Sequence, residues 1–73
     1  MMAVTVYTRH DCPFSVTLKK ALDDQGREYT EIDVAESPRT LPELMKLTGG
    51  KRIVPVVVDE NGIHVAPGGG TTF

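Results

Sequence analysis

Two short β-branched runs flank one helix-like run near the N-terminus, and that order constrains the fold more than any other feature of the chain. Residues 3–8, AVTVYT, alternate with Val4 and Val6 on one face. Residues 28–34, EYTEIDV, alternate again, with Thr30, Ile32 and Val34 on one side. Between them Phe14, Leu18, Ala21, Leu22 and Gln25 recur at helical spacing, with Lys19, Lys20, Asp23 and Asp24 turned to water. Pro13 suits the first helical position, where its missing N–H and fixed φ cost nothing, and Gly26 supplies a left-handed stop. A strand, a crossover helix and a second strand make a βαβ unit. Its two strands run parallel, with the helix on one face.

The remainder continues the pattern. A second helix is predicted with its firm part at Pro42–Thr48 and a looser first turn after Ser37-Pro38. Leu41, Leu44, Met45 and Leu47 form its apolar side, and Gly49-Gly50 end it. Residues 53–58, IVPVVV, read as one buried strand, Asn61-Gly62 as a hairpin turn, and residues 63–65 as a short return strand. The tail APGGGTTF holds three consecutive glycines and reads as unsuited to a strand. The expected fold class is therefore α/β in β-α-β-α-β-β order, within a single domain spanning residues 1–73.

A chain of 73 residues with one cysteine has no internal disulfide to brace it and no paired-thiol zinc site. It stands on apolar packing or on a partner. The net charge of −2 is spread along the chain, with no basic block for nucleic acid, and no apolar run is long enough for a membrane span. The start MMAVTVYT lacks the form of a signal peptide, so with its lone thiol the chain is expected in a reducing cytoplasm.

That thiol, Cys12, precedes Pro13 and is predicted to be the N-cap of the first helix. The unpaired N–H groups of a first helical turn favour negative charge, and a thiol becomes a nucleophile only as thiolate. The backbone N–H and hydroxyl of Ser15 lie one turn along. Arg9 and His10 add positive character and Asp11 opposes it. A free cysteine is also among the most frequently buried residues, so a core-filling role competes with the reactive one. No second thiol sits at the Ser15 position. Any disulfide of Cys12 is therefore with another molecule, and a small thiol such as glutathione is the economical candidate.

VTVYTRHDCPFS, GGKRIVPVVV and PGGGTT, in this order and with these gaps, resemble the glutaredoxin family of the thioredoxin fold over roughly residues 3–72. The resemblance implies a four-stranded mixed sheet and a nucleophilic role for Cys12 with Ser15 beside it. It implies glutathione contacts from Phe14, Lys51, Arg52, Val54, Pro55, Gly68, Gly69 and Thr71. Phe14 would line the groove, although a core contact fits it equally. Pro55 would be cis and would aim the backbone of Val54 at the cysteinyl part of glutathione, whereas the residues alone suggest an ordinary strand-start proline. Lys51 and Arg52 would hold the glycine carboxylate, or stand as a solvated basic turn. Gly68 and Gly69 would receive the γ-glutamyl carboxylate on backbone N–H groups. Thr71 stands where the family often has the aspartate that contacts the γ-glutamyl amine.

The chain departs from the family pattern in lacking the usual lysine before the cysteine and the third helix after the glycine turn, which is missing or truncated. Its motif, Cys-Pro-Phe-Ser, is neither the dithiol form nor the Cys-Gly-Phe-Ser form of cluster carriers. The chain also resembles the short Uxx-star glutaredoxin-like group. The implied function is thiol–disulfide exchange through one cysteine, with glutathione as co-substrate, glutathionylated or disulfide-containing proteins as partners, and no metal. The protein is expected to be a monomer or a weak homodimer. Two alternatives stand beside it: glutathione-assisted iron–sulfur carriage by two chains, and a peroxide or small-molecule reductase with an external resolving thiol, in which His10 would donate a proton.

Overall fold

The computed structural model describes residues 4–73. Ala3, assigned above to the first strand, lies outside them. Strand β1 (Thr5–Thr8) leads through a short loop to helix α1 (Pro13–Asp24) and strand β2 (Thr30–Asp33). A 3₁₀ turn (Pro38–Thr40) enters helix α2 (Leu41–Thr48), followed by β3 (Ile53–Val54), β4 (Val56–Asp59), β5 (Gly62–Val65) and β6 (Thr71–Thr72). The main sheet has the order β2-β1-β4-β5. β1 and β2 are parallel, with Thr5 opposite Thr30, while β1–β4 and β4–β5 are antiparallel. This is the mixed four-stranded α/β architecture expected from the sequence.

The period-2 alternation of the strands divides the core. Val4, Val6 and Val57 pack with Leu22, Leu18 and Tyr29 on the α1 side. Tyr7, Val34, Val54 and Val56 pack with Leu44, Leu41 and Leu47 on the α2 side. The two helices thus cover opposite faces of the sheet. Thr8 is fully buried, and its hydroxyl donates to Glu31 at 2.8 Å. Glu31 also takes Lys19 at 2.9 Å, so this network ties α1 to β1 and β2 and draws Lys19 partly out of water. The Lys19 ammonium, with the Thr8 hydroxyl assisting against burial, holds the Glu31 carboxyl below its usual value.

Four sequence expectations need correction. The apolar stripe of α1 was expected to begin at Phe14, but the helix buries Ser15 and Leu22 and leaves Phe14 43% exposed. Starting the helix at Pro13 rotates Ser15, not Phe14, toward the sheet. Residues 53–58 form two strands, because Pro55 has no N–H for a ladder and the chain turns at the cis Val54–Pro55 bond. Two of the tail glycines take left-handed backbone, with φ +79 at Gly68 and +120 at Gly69, and make a turn. The β-branched Thr71 and Thr72 then form β6, antiparallel to β3 in the register Ile53–Thr72 and Val54–Thr71. The second strand is shorter than residues 28–34, and its Thr30 faces solvent. The looser turn before α2 is the 3₁₀ segment, and Pro42 falls in the first turn, where no N–H is needed.

Leu44 is 0% exposed at the centre of the α2-side cluster. Leu44→Ala should cost about 2–5 kcal/mol of a total on the order of 5–15 kcal/mol, read by urea denaturation. A loss under ~1 kcal/mol would show that this cluster does not hold the second face of the sheet.

Candidate active site

The site begins where β1 ends. The Cys12 N–H donates to the Arg9 carbonyl at 3.1 Å, closing the loop that returns the chain toward the sheet. Cys12 is the N-cap of α1 with extended backbone (φ −97, ψ 113), and Pro13 occupies the first helical position. The N–H groups of Ser15 and Val16 bond to the Cys12 carbonyl at 3.1 and 3.3 Å. These bonds fix the sulfur over the carboxyl end of β1, against the α2-side cluster of Tyr7, Val34, Leu44, Val54 and Val56.

The sulfur is 1% exposed. The core-filling alternative is therefore correct as to burial, yet the surroundings are not purely apolar. The sulfur lies 3.4 Å from the Thr71 hydroxyl and 3.8 Å from the Val54 carbonyl, a long contact. Burial pushes the thiol pKa up. The Ser15 and Thr71 hydroxyls, with the N–H groups of Ser15 and Phe14, outweigh that and leave it below the ordinary value. Ser15 is the informative member. Its hydroxyl is fully buried and makes no hydrogen bond of normal geometry. A buried hydroxyl without a partner costs about 1–3 kcal/mol. The hydroxyls and first-turn amides around Cys12 favour its ionised form over its neutral one, against the burial that opposes it.

The basic residues of the loop act elsewhere. Arg9 pairs with Asp11 at 3.1 Å and lays its guanidinium 4.5 Å from the centre of the Phe73 ring. His10 faces Asp33 at 3.3 Å. Neither supplies the positive character at the sulfur that the sequence suggested; hydroxyls and amides do.

The other candidate residues surround the sulfur unevenly. Val54 and Pro55 are buried, and the Val54 carbonyl faces Cys12. Thr71 touches the sulfur itself. Phe14 and Gly69 meet, since a Cβ on Gly69 would stand 2.7 Å from the Phe14 ring. Gly68 is exposed in the turn before it. The side chains of Lys51 and Arg52 are exposed and form no ion pair among the described residues. The Arg52 carbonyl accepts the Phe73 N–H at 3.0 Å, and the Lys51 N–H donates to the Thr48 hydroxyl at 3.0 Å. Sequence reading missed Gly70, where a Cβ would stand 2.7 Å from the Val54 carbonyl oxygen, and it missed Phe73. Only the β3–β6 pairing reveals either.

Two further features lie apart from the sulfur. His10, Asp33 and Glu36 bring one ring nitrogen and two carboxylates within 4.8 Å of one another, a donor set a divalent cation could use. A wide depression of ≈ 500 Å³ is lined by Lys19, Glu31, Asp33, Glu36 and Thr40 among others and does not reach Cys12. No helix among the described residues is long and apolar enough to cross a membrane.

Because the surrounding donors hold the folded thiol below its ordinary value, ionisation stabilises the fold. That contribution is complete above the unfolded value and is lost as pH falls through the folded one. The stability of the reduced protein relative to Cys12→Ser should therefore rise with pH through this window in denaturation midpoints. A constant difference would show that the folded and unfolded thiols titrate alike.

The glutaredoxin family model matches residues 4–65, from just before β1 through β5. Mycoredoxin 1 of Corynebacterium glutamicum is 38% identical over 64 residues, covering 88% of this chain and 78% of that protein. Among solved structures, the glutaredoxin-like NrdH-redoxin from Escherichia coli superposes with a TM-score of 0.71 at 27% identity, over 86% of this chain and 80% of that one. Glutaredoxin 1 from Francisella tularensis, complexed with cacodylate, gives 0.60 at 26% identity, over 89% and 83%. Sequence match, sheet order and the cysteine at the mouth of α1 agree: this chain belongs to the glutaredoxin family.

Proposed function

We propose that this glutaredoxin-family redox protein reduces mixed disulfides with a low-molecular-weight thiol, using Cys12 as its nucleophile. The observation that carries the reading is Cys12 at the N-cap of α1, where first-turn amides and the Ser15 and Thr71 hydroxyls hold its thiol below the ordinary pKa. The Cys12 thiolate attacks the small-thiol sulfur of a protein mixed disulfide. A Cys12–small-thiol disulfide forms, the protein sulfur leaves as thiolate and takes a proton from water. A second small thiolate then attacks that disulfide, releasing the oxidised small thiol and restoring the Cys12 thiolate. One thiol suffices, so Ser15 serves as a hydrogen-bond donor to the sulfur.

Glutathione is the small thiol that the family pattern implies, and mycothiol is the other reductant typical of the family. The Val54 backbone, Phe14, Pro55, Gly68 and Gly69 would line its site, with Lys51 and Arg52 available to a carboxylate. Thr71 carries no charge for an ammonium group and faces the sulfur, which favours a site that reads the thiol end of its ligand more than its amino end. An iron–sulfur carrier draws no support from a sulfur that is 1% exposed.

The test is intact mass after incubating the reduced protein separately with oxidised glutathione and oxidised mycothiol. A single adduct, absent in Cys12→Ser and removed by the matching reduced thiol, is expected. An adduct in one arm alone identifies the small thiol; no Cys12-dependent adduct in either arm overturns the proposal.

A further inference from the structure

Cys12 is 1% exposed, and thiol–disulfide exchange requires a disulfide sulfur to reach it. What seals it is identifiable. β6 lies along β3 in the register Val54–Thr71 and places the Thr71 hydroxyl 3.4 Å from the sulfur. The Phe73 N–H donates to the Arg52 carbonyl, so the alternation of an antiparallel ladder makes Val54–Thr71 the next hydrogen-bonded pair. The backbone groups of Val54 that an extended ligand would pair with are thus taken by this chain's own Thr71. The segment also covers other parts of the groove. Gly69 packs on the Phe14 ring, and Gly70 lies against the Val54 carbonyl so closely that a side chain would not fit.

The attachment is slight. β6 is two residues long, Thr71 and Thr72 are exposed, and beyond the β3 pairing the strand is anchored through Phe73 alone: by its N–H bond, by its partly buried ring against the α2-side cluster and by the Arg9 guanidinium 4.5 Å from that ring. A short edge pairing with its hydrogen bonds near solvent opens at far lower cost than the sheet.

The geometry points to a displaceable strap: residues Thr71–Phe73 occupy the edge of β3 that an extended thiol or peptide disulfide pairs with, and Cys12 reacts only after such a ligand, or thermal opening, lifts β6 from β3. This rests on the exchange function proposed above and adds a competition to it. The ligand takes over the Val54 backbone rung by strand addition, and the gain from that rung offsets the loss of the Thr71 pairing. Ligands able to form the rung therefore reach the sulfur faster than equally reactive disulfides that cannot.

Alkylation of Cys12 by iodoacetamide as a function of pH separates the two claims. The midpoint reports ionisation, and the high-pH plateau reports access to the thiolate. The wild-type plateau should lie about tenfold or more below that of the same chain unfolded in urea. Thr71→Pro deletes the N–H that pairs with the Val54 carbonyl and should raise the plateau. Thr71→Val keeps the pairing and should leave the plateau in place while moving the midpoint up. Phe73→Ala loosens the anchor without touching the pairing and should raise the plateau too, which covers the case of a poorly folded proline variant. A wild-type plateau equal to the unfolded one, or an unchanged plateau in both Thr71→Pro and Phe73→Ala, overturns the strap. A midpoint at or above the unfolded value instead counts against the exchange function and leaves the plateau comparison standing.

Discussion

A hydroxyl group with nothing to donate to sits at the centre of this protein. Burial at Ser15 removes water as a partner, and the described residues offer no acceptor of normal geometry. The hydroxyl's place in the first turn of α1 sets it among the groups that favour the ionised form of the Cys12 sulfur. Helix α1, the loop after β1 and the Thr71 strand together enclose that sulfur. The competition is between two physical effects of similar reach. Burial disfavours the anion, and short-range donors favour it. The donors prevail because two hydroxyls and two helix-opening amides converge on one atom. No charged side chain is needed, and the nearby Arg9 and His10 side chains are engaged with Asp11, Asp33 and Phe73.

Most of the scaffold was legible because its signals are local. Pro13 marks the start of α1, the alternation of residues 3–8 marks β1, and Asn61-Gly62 lies at the β4–β5 turn. The parallel pairing of β1 and β2 followed from the intervening helix, and the N-cap position of Cys12 followed from Pro13. What escaped was non-local or rotational. Nothing near residues 71–72 announces a strand, since their partner lies in residues 53–54. Three glycines beside two threonines look like a loop until a second strand edge is available. The choice between Phe14 and Ser15 as the inward residue turns on the helix's rotation about its axis, which an apolar-residue pattern resolved in favour of the larger side chain.

The site shows the same division. Cys12, Ser15, Val54 and Thr71 were named from motif positions, and the chain brings these four together. Thr71 has a contact that its motif position did not announce. The family pattern sets that position against an amino group, but here its hydroxyl faces the sulfur. Gly70 could not be recognised from spacing, because its constraint is the Val54 carbonyl across the β3–β6 pair. Lys51 and Arg52 have no ion-pair partner among the described residues, on a backbone that is already engaged. Their availability to a carboxylate is compatible with the proposed exchange chemistry but does not drive it.

Cys12 thus separates two properties that reactive cysteines usually combine: a lowered pKa and an open sulfur. The central claim concerns the first. The ultraviolet absorbance of the thiolate, titrated in the reduced wild-type protein against a Cys12→Ser blank, reads it directly. The account predicts an inflection below the unfolded thiol's value of about 8.5; an inflection at or above that value would mean that burial outweighs the converging donors and that Cys12 is a core residue.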